Sequence, residues 1–149
     1  MTKEIILTIS GIHATDGETD EPIEIMTSGQ YYLKNGKHYV LFEEVMEGID
    51  GKMKSTLKFA EDKVELIRNG AASVHMVFQR DEEHQMLYQT PMGPLPISLY
   101  TDDLTMDIHD SYMNLEIHYS LKAQGQMISE STLYLNVCPM ETKRFINEI

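Results

Sequence analysis

The residue with the most chemical interest is an arginine at the end of an apolar strand pattern. Arg68 closes the run that starts at Val64 and shares a face with Val64 and Leu66. An isolated buried charge costs more free energy than folding can offset, so an inward arginine needs a partner. Glu43 and Glu44 are the candidates. An inward Arg68–Glu44 pair would anchor a polar ligand group in the interior. Alternatively, Arg68 lies at the strand end and reaches water.

The six histidines of the chain do not form a pattern typical of a metal site. The best cluster lies on one hairpin and contains Asp107, His109, Glu116 and His118. Its two histidines would be roughly 20 Å apart at a rise of ~3.3 Å per strand residue, too far to share one ion. We therefore interpret the cluster as a solvated polar face and predict no metal.

No motif for covalent catalysis or cofactor binding is present. Cys138 precedes a proline and has no histidine near it in the sequence. There is no Gly-x-Ser-x-Gly elbow and no glycine-rich phosphate loop. We predict no catalytic residues and no cofactor, so the protein is not expected to be an enzyme.

Charge and composition exclude several kinds of partner. The formal net charge of −12 argues against binding to nucleic acid or to anionic membrane surfaces. No apolar run approaches the ~20 residues that a membrane span needs. The amino-terminal apolar stretch is too short and too alternating for a signal peptide. With a single cysteine, these features predict a bacterial cytoplasmic protein. They leave the oligomeric state open, including a homodimer.

The strand pattern begins with a hairpin around Asn35–Gly36, a strong hairpin signal. A two-residue loop puts Tyr31 on the same face as Phe42 and Glu44. A three-residue loop puts Glu43 there instead. We favour the two-residue loop because it turns Phe42 inward, but the choice between Glu43 and Glu44 stays open.

The hairpin around Asp110–Ser111 has a register that alternation fixes. A two-residue loop puts Met106 opposite Leu115 and Ile108 opposite Met113, all on one apolar face.

The prolines from Pro91 to Pro96 predict a loop that crosses one end of the fold, because proline removes ladder donors. Gly29 predicts a bulge or bend at a barrel corner, and residues 142–149 form a short helix or fray. The predicted strands are 3–13, 23–33, 38–46, 52–60, 64–69, 73–80, 85–90, 97–101, 104–109, 112–123 and 128–138.

These short, regularly spaced strands predict an all-β fold. Consecutive hairpins favour an up-and-down antiparallel β-barrel of about 8–10 strands, because closing the sheet removes exposed edges. No internal repeat or linker divides the chain. We therefore predict one barrel domain over residues 1–149.

The order of the landmarks along nearly the whole chain resembles a known family. The landmarks are Gly29–Lys34, Tyr39–Glu44, Thr56–Lys58, Val64–Gly70, Phe78, Tyr88–Gly93 and Leu115–Tyr119. This series is similar to the YwiB-like family of small bacterial proteins. The resemblance implies a calycin (lipocalin-like) β-barrel with no assigned function and no catalytic residues to carry over. Pro94, Pro96 and the acidic stretch 15–21 depart from the family pattern.

The best functional prediction is a barrel that binds one small apolar or aromatic ligand without catalysis. Methionine and tyrosine side chains at alternate strand positions either line a cavity or form plain core. The rival prediction is an acidic protein-interaction module with a filled barrel, and an enzyme comes third. The candidate ligand-binding residues are Tyr31, Phe42, Glu44, Arg68, Met76, Tyr88 and Met106.

Overall fold

Short alternating segments form the strands of this protein, as the sequence predicts. The computed structural model describes residues 3–15, 18–19, 23–45, 52–69, 74–90 and 92–140. Within these ranges no helix is long and apolar enough to cross a membrane. The terminal segment 142–149 lies outside the described residues. The strands are β1 Glu4–Thr15, β2 Glu18–Thr19, β3 Ile23–Lys34, β4 Lys37–Val45, β5 Lys52–Ala60, β6 Lys63–Asn69, β7 Val74–Gln79, β8 Glu83–Thr90, β9 Gly93–Ile108, β10 Met113–Ala123 and β11 Gln126–Pro139.

Residues with left-handed backbone conformations make the tight turns between strands. Asn35 and Gly36 have φ values of 53° and 76°, and two successive positive φ angles match the twist of antiparallel strands. Gln124 and Gly125 repeat this combination at the β10–β11 turn, with φ values of 52° and 77°. The Asn35–Gly36 turn is therefore a two-residue loop, as predicted, with Lys34 opposite Lys37.

The strands form one antiparallel sheet that curls into a nearly closed barrel. Their order is β7-β6-β5-β4-β3-β1-β11-β10-β9-β8, with β2 attached to β1. Apart from the β1–β3 and β1–β11 pairs, neighbouring strands of the sheet are consecutive in sequence, as in an up-and-down barrel. The β1–β11 pair joins the first and last strands, and Ile5 lies opposite Pro139. The predicted all-β antiparallel barrel is confirmed.

Thr101 closes the barrel between its two outermost strands, β7 and β8. Its backbone N–H donates to the Glu82 carbonyl at 3.2 Å, and its carbonyl accepts from the Asp81 N–H at 2.9 Å. Its hydroxyl accepts from the Gln79 N–H at 3.2 Å. Arg80 adds a salt bridge of 3.2 Å to Asp103. Thr101 itself is fully buried, whereas Arg80 and Asp103 are about half exposed.

The predicted register of the Asp110–Ser111 hairpin is confirmed. Met106 lies opposite Leu115, Ile108 opposite Met113, and Asp107 opposite Asn114. Alternation also holds in β5, where Met53, Leu57 and Phe59 are each 1% exposed. Local pattern was sufficient to predict the hairpin register because that register depends on only one turn and its two flanking strands.

The prediction of a loop from Pro91 to Pro96 was wrong, because β9 already begins at Gly93. Pro94 pairs with Gln89, and Pro96 with Leu87. The β10 ladder on the other side of β9 reaches only to Ser98. Both prolines therefore lie where β9 has a neighbour on one side only, and proline is tolerated at such an edge.

The separate strands predicted at 97–101 and 104–109 are one strand in the structure. β9 runs continuously to Ile108, and its register with β10 shifts between the pairs His118–Asp103 and Tyr119–Thr101. One extra residue, Asp102, is accommodated as an irregularity of the ladder. Such a shift bends the strand without ending it.

Gly29 lies at a corner of the barrel, where β3 changes partner. Residues 23–30 of β3 pair with β1, whereas residues 29–34 pair with β4. A Cβ at Gly29 would lie 2.6 Å from the Leu41 carbonyl oxygen. The predicted corner is therefore present, although β3 shows no register shift there. Glycine is needed because the β4 backbone approaches too closely for a Cβ atom.

The barrel interior has two unlike halves. The closed half lies towards the turns Asn35–Gly36, Glu61–Asp62 and Asp110–Ser111, and the open half lies towards the turn Gln124–Gly125. Large side chains fill the closed half; among them Ile5, Val40, Phe59, Val64, Phe78 and Met113 are at most 1% exposed.

Candidate ligand cavity

The open half of the barrel contains a cavity of about 580 Å³. Two of its lining residues, Tyr88 and Ile128, are 48% and 38% exposed, so the cavity reaches the surface there. Its walls are mainly aliphatic, and Arg68 is the one charged side chain among the described lining residues. The lining consists of Leu7, Ile9, Gly11, Phe42, Leu57, Leu66, Arg68, Val74, Met76, Met86, Tyr88, Leu95, Ile97, Tyr119, Leu121, Ile128, Thr132, Leu133 and Leu135.

Cross-strand rows determine which side chains line the cavity on the β4–β7 wall. One row runs from Val40 through Leu57 and Leu66 to Met76. The next row towards the open half runs from Phe42 through Ser55 and Arg68 to Val74. Alternate residues of a strand face the same side, so both rows point into the barrel. The second row brings in the arginine.

Tyr119 supplies a second polar group to the cavity wall. This tyrosine is 6% exposed, and its ring meets Phe78 edge-on with 5.1 Å between centroids. Burial raises the pKa of the Tyr119 hydroxyl, while a hydrogen bond to Ser131 and the charge of Arg68 act in the opposite direction. Arg68 and Tyr119 thus influence each other electrostatically within an otherwise apolar cavity.

Four of the seven predicted site residues line the cavity: Phe42, Arg68, Met76 and Tyr88. Arg68 lines the cavity and is half-buried. The structure therefore does not support the alternative in which its side chain reaches only bulk water. The residues come from β4, β6, β7 and β8, on both sides of the incompletely paired seam. The barrel therefore unites residues that are far apart in the sequence.

Tyr31 and Met106 are not among the described residues that line the cavity, which corrects their prediction as ligand-binding residues. Both are partly buried and pack against the hydrophobic core. The Tyr31 hydroxyl lies 2.7 Å from His38 Nδ1, and the His38 ring stacks on Phe59 at 4.9 Å between centroids. Alternation predicted their face correctly but not their level along the barrel axis.

The predicted Arg68–Glu44 pair falls partly outside the described residues. The backbone of Glu44 pairs with Met53, and that of Glu43 with Lys54, but the Glu44 side chain is not described. Phe42 is 5% exposed, whereas Glu43 is exposed. The observed two-residue loop thus places Glu43 on the outer face, on the opposite side of β4 from Phe42.

Burial also shifts the pKa values of His38 and Tyr31, which lie side by side. Burial lowers the pKa of the His38 imidazole, and burial raises the pKa of the Tyr31 hydroxyl. A neutral His38 ring that is protonated on Nε2 can accept a hydrogen bond at Nδ1 from the Tyr31 hydroxyl. Neither residue is among the described residues that line the cavity.

The histidines of the β9–β10 hairpin form two separate pairs with acids. His109 Nε2 lies 2.6 Å from an Asp107 oxygen, and His118 Nε2 lies 2.7 Å from a Glu116 oxygen. Among the described residues no group of three or more histidine, cysteine, aspartate or glutamate side chains could hold a metal ion.

A larger, more open groove of about 760 Å³ lies on the barrel wall between β3 and β5. It forms where the β3–β4 ladder ends at the Gly29–Phe42 pair. Its lining mixes exposed charges such as Glu43 and Lys54 with small polar side chains. Such a surface retains its water at little cost, so the apolar cavity is the stronger candidate site.

Sequence reasoning missed most of the lining on the β8–β11 wall, including Met86, Tyr119 and Leu133. A usable signal existed for one of them. Tyr119 shares the face of Leu115 and Ile117 in a strand whose register was already determined. The register that places Met86 opposite Ile97 could not be predicted, because the connection from Pro91 to Pro96 was interpreted as a loop and not as part of a hairpin.

Comparison with known proteins agrees with this architecture. Residues 7–135 match the model of a family described as a domain of unknown function, DUF1934. The match spans well over half of the chain. The chain belongs to the DUF1934 family.

Relatives of this DUF1934 protein confirm the resemblance predicted from the sequence landmarks. The chain is 28% identical over 117 residues to the uncharacterized β-barrel protein YwiB of Bacillus subtilis strain 168, covering 78% of this chain and 80% of YwiB. The crystal structure of the ywiB protein from Bacillus subtilis matches with a TM-score of 0.81 over 92% of each chain, at 23% identity. That likeness shows the shared barrel fold.

Proposed function

We propose that this protein binds one small, largely apolar molecule inside the barrel and performs no catalysis on it. The observation that carries the proposal is the cavity of about 580 Å³ in the open half. Protein interiors pack almost as densely as organic crystals, with few voids larger than a water molecule. A space of this size is therefore not an ordinary packing defect.

The size and the lining of the cavity both suit a small ligand. Binding sites for small molecules have volumes of about 300–1,000 Å³ and mostly hydrophobic walls with a few polar groups. Arg68 and Tyr119 are such groups here. Met76 and Met86 add walls that adapt to the guest, since the unbranched thioether side chain changes rotamer easily.

We also infer that the barrel is of the calycin, or lipocalin-like, type. Up-and-down barrels of that type hold one small ligand in their interior. The consecutive strand order and the one-sided opening of the cavity support this inference.

The acidic interaction module is the second candidate function. Its support is an exposed acidic surface on β9 that includes Asp102, Asp103 and Asp107, on a chain of net charge −12. Such a surface suits a basic partner. This candidate also assumed a filled barrel, and the cavity favours the ligand-binding proposal over it.

A thermal-shift screen of small aromatic and short-chain apolar compounds tests ligand binding. A compound at 100 times its dissociation constant adds about 2.7 kcal/mol to the free energy of unfolding, an easily measured shift in midpoint. Val74→Phe places a large ring in the cavity and is expected to abolish the shift. Leu33→Ser, at a position that is 60% exposed in the closed half, is the matched control and should keep it.

Two outcomes would contradict the ligand-binding proposal. One is a screen in which no compound moves the midpoint of the wild-type protein. The other is a shift that Val74→Phe leaves unchanged, because the compound would then bind elsewhere. The interaction module would take first place in either case.

A further inference from the structure

One cation in an apolar cavity gives the ligand a chemical class. Arg68 is the charged side chain among the described lining residues, and it lies in the cross-strand row of Phe42 and Ser55. A guanidinium is never deprotonated in proteins, so its charge is present at every physiological pH. Covering an N–H donor of a guanidinium with a guest that offers no acceptor is costly unless the protein itself supplies the acceptor.

We propose that the ligand is an amphipathic anion whose head group binds Arg68 while its apolar part occupies the rest of the cavity. This inference rests on the proposed function. Arg68 also has an interaction partner within the protein, but a guanidinium has five N–H donors and can serve a partner and a ligand together. A carboxylate suits it well, because the planar fork of donors matches two carboxylate oxygens.

Tyr119 supports an anionic head group at the same place. Its side chain is buried, hydrogen-bonded to Ser131 and under the influence of the Arg68 charge. A tyrosine hydroxyl can donate one hydrogen bond and accept others. Tyr119 and Arg68 both line the cavity, so a head group bound there has two side chains that can donate hydrogen bonds to it.

The overall charge of the protein makes the test sharper. A net charge of −12 opposes the approach of any anion. A preference for an anionic ligand over a neutral one of the same length would therefore have to come from a local group. Arg68 is that group among the described lining residues.

The experiment compares four eight-carbon probes by isothermal titration calorimetry at pH 7.5. They are octanoate, octyl phosphate, 1-octanol and octyltrimethylammonium. Octanoate is expected to bind at least about tenfold more tightly than 1-octanol, since a hydrogen bond to a charged group is worth more than a neutral one. Octyltrimethylammonium should bind most weakly. Octyl phosphate distinguishes a carboxylate site from a general anion site.

Two substitutions locate the preference. Arg68→Met should remove the tenfold advantage of octanoate and leave the affinity for 1-octanol within a factor of about three. Lys54→Met removes the same charge from an exposed position of β5 outside the cavity, and should keep the advantage. Arg68→Lys should retain part of it, because the charge remains but the planar fork is lost.

The results separate failure of this inference from failure of the proposed function. If 1-octanol binds as tightly as octanoate to the wild-type protein, the anionic head group is wrong and the apolar ligand stands. If Lys54→Met removes the preference as fully as Arg68→Met does, the preference is not local and the inference is again wrong. If none of the four probes binds, both proposals are wrong. The first comparison needs no variant, so it holds even if Arg68→Met does not fold.

Discussion

The closed and open halves of the barrel are built from the same strands by the same alternation, yet one is solid and the other hollow. In the closed half, Phe59, Val64 and Phe78 are at most 1% exposed and form one row on three adjacent strands. In the open half, Phe42 and Val74 occupy the corresponding row, together with the small Ser55 and the half-buried Arg68.

This difference shows that an inward pattern alone does not make a core. The row through Phe42 alternates correctly, but a serine and an arginine replace the aliphatic side chains that would fill the centre. The cavity is thus a consequence of side-chain volume and charge, because the backbone ladder is continuous through both halves. Substitutions should therefore have very different effects in the two halves.

The largest difference is expected for truncation of a large side chain. Phe59→Ala should lower the free energy of unfolding by about 3–5 kcal/mol, because it leaves a void in a filled core. Met76→Ala, in the cavity wall, should cost less than about 2 kcal/mol, because it only enlarges an existing space. Urea denaturation of both variants measures the difference. Equal losses would show that the two halves are packed alike.

Overpacking provides the next comparison, at matched valines. Val64→Phe should lower the free energy of unfolding by about 1–3 kcal/mol or more, since a filled core has no room for a ring. Val74→Phe should cost less than about 1 kcal/mol, because its side chain enters the cavity. Denaturant midpoints with unchanged slopes are the measurement. A Val74→Phe variant as unstable as Val64→Phe would mean that the cavity is not available space.

Two glycines, Gly29 at the barrel corner and Gly11 in the cavity wall, refine the comparison. Gly29→Ala should cost about 1–3 kcal/mol, because its Cβ would meet the Leu41 carbonyl oxygen at 2.6 Å. Gly11→Ala should be tolerated within about 0.5 kcal/mol, since its nearest neighbour would lie 3.8 Å away. Thermal unfolding of the two variants tests this. If Gly29→Ala is tolerated, close backbone approach is not the reason for a glycine at this corner.

The smallest effect concerns pH and the closed half. Burial lowers the pKa of folded His38 below the ordinary value of 6.5. The unfolded chain therefore binds a proton more readily, so this contribution to stability is complete above about pH 6.5 and declines as the pH falls through that value. His38→Gln should flatten the pH dependence of unfolding below pH 6.5.

Tyr31→Phe is the control for the histidine prediction. Burial, the main cause of the lowered pKa, persists when the tyrosine hydroxyl is removed. Most of the pH dependence should therefore remain in this variant. Identical pH profiles for the wild-type protein and His38→Gln would show that His38 does not contribute.

Local rules explain which parts of the fold could be predicted from sequence. The registers of the hairpins at Asn35–Gly36 and Asp110–Ser111 follow from one turn and its two flanking strands. The place of Pro94 depends on how far β10 extends beside β9, which no local pattern contains. The joining of 97–101 to 104–109 likewise depends on a ladder irregularity at Asp102.

The sequence predicted which side of a strand the candidate site residues occupy, but not their position along the barrel axis. Arg68, Phe42, Met76 and Tyr88 were correctly placed on inward faces and line the cavity. Tyr31 and Met106 also pack against the core but are not among the described residues that line the cavity. Alternation determines the side of a strand, whereas the position along the barrel axis depends on the stagger of all the strands.

The most direct test of a hollow, ligand-binding half is methyl NMR of the protein labelled at its methionines, titrated with octanoate. The methionines sample every environment at once: Met76 and Met86 line the cavity, Met113 is 1% exposed in the closed half, and Met92 is 98% exposed. Single Met→Leu variants assign the signals. We expect saturable shifts of Met76 and Met86, with Met113 and Met92 unchanged. Shifts confined to Met92, or no saturable shift at Met76 and Met86, would contradict the account.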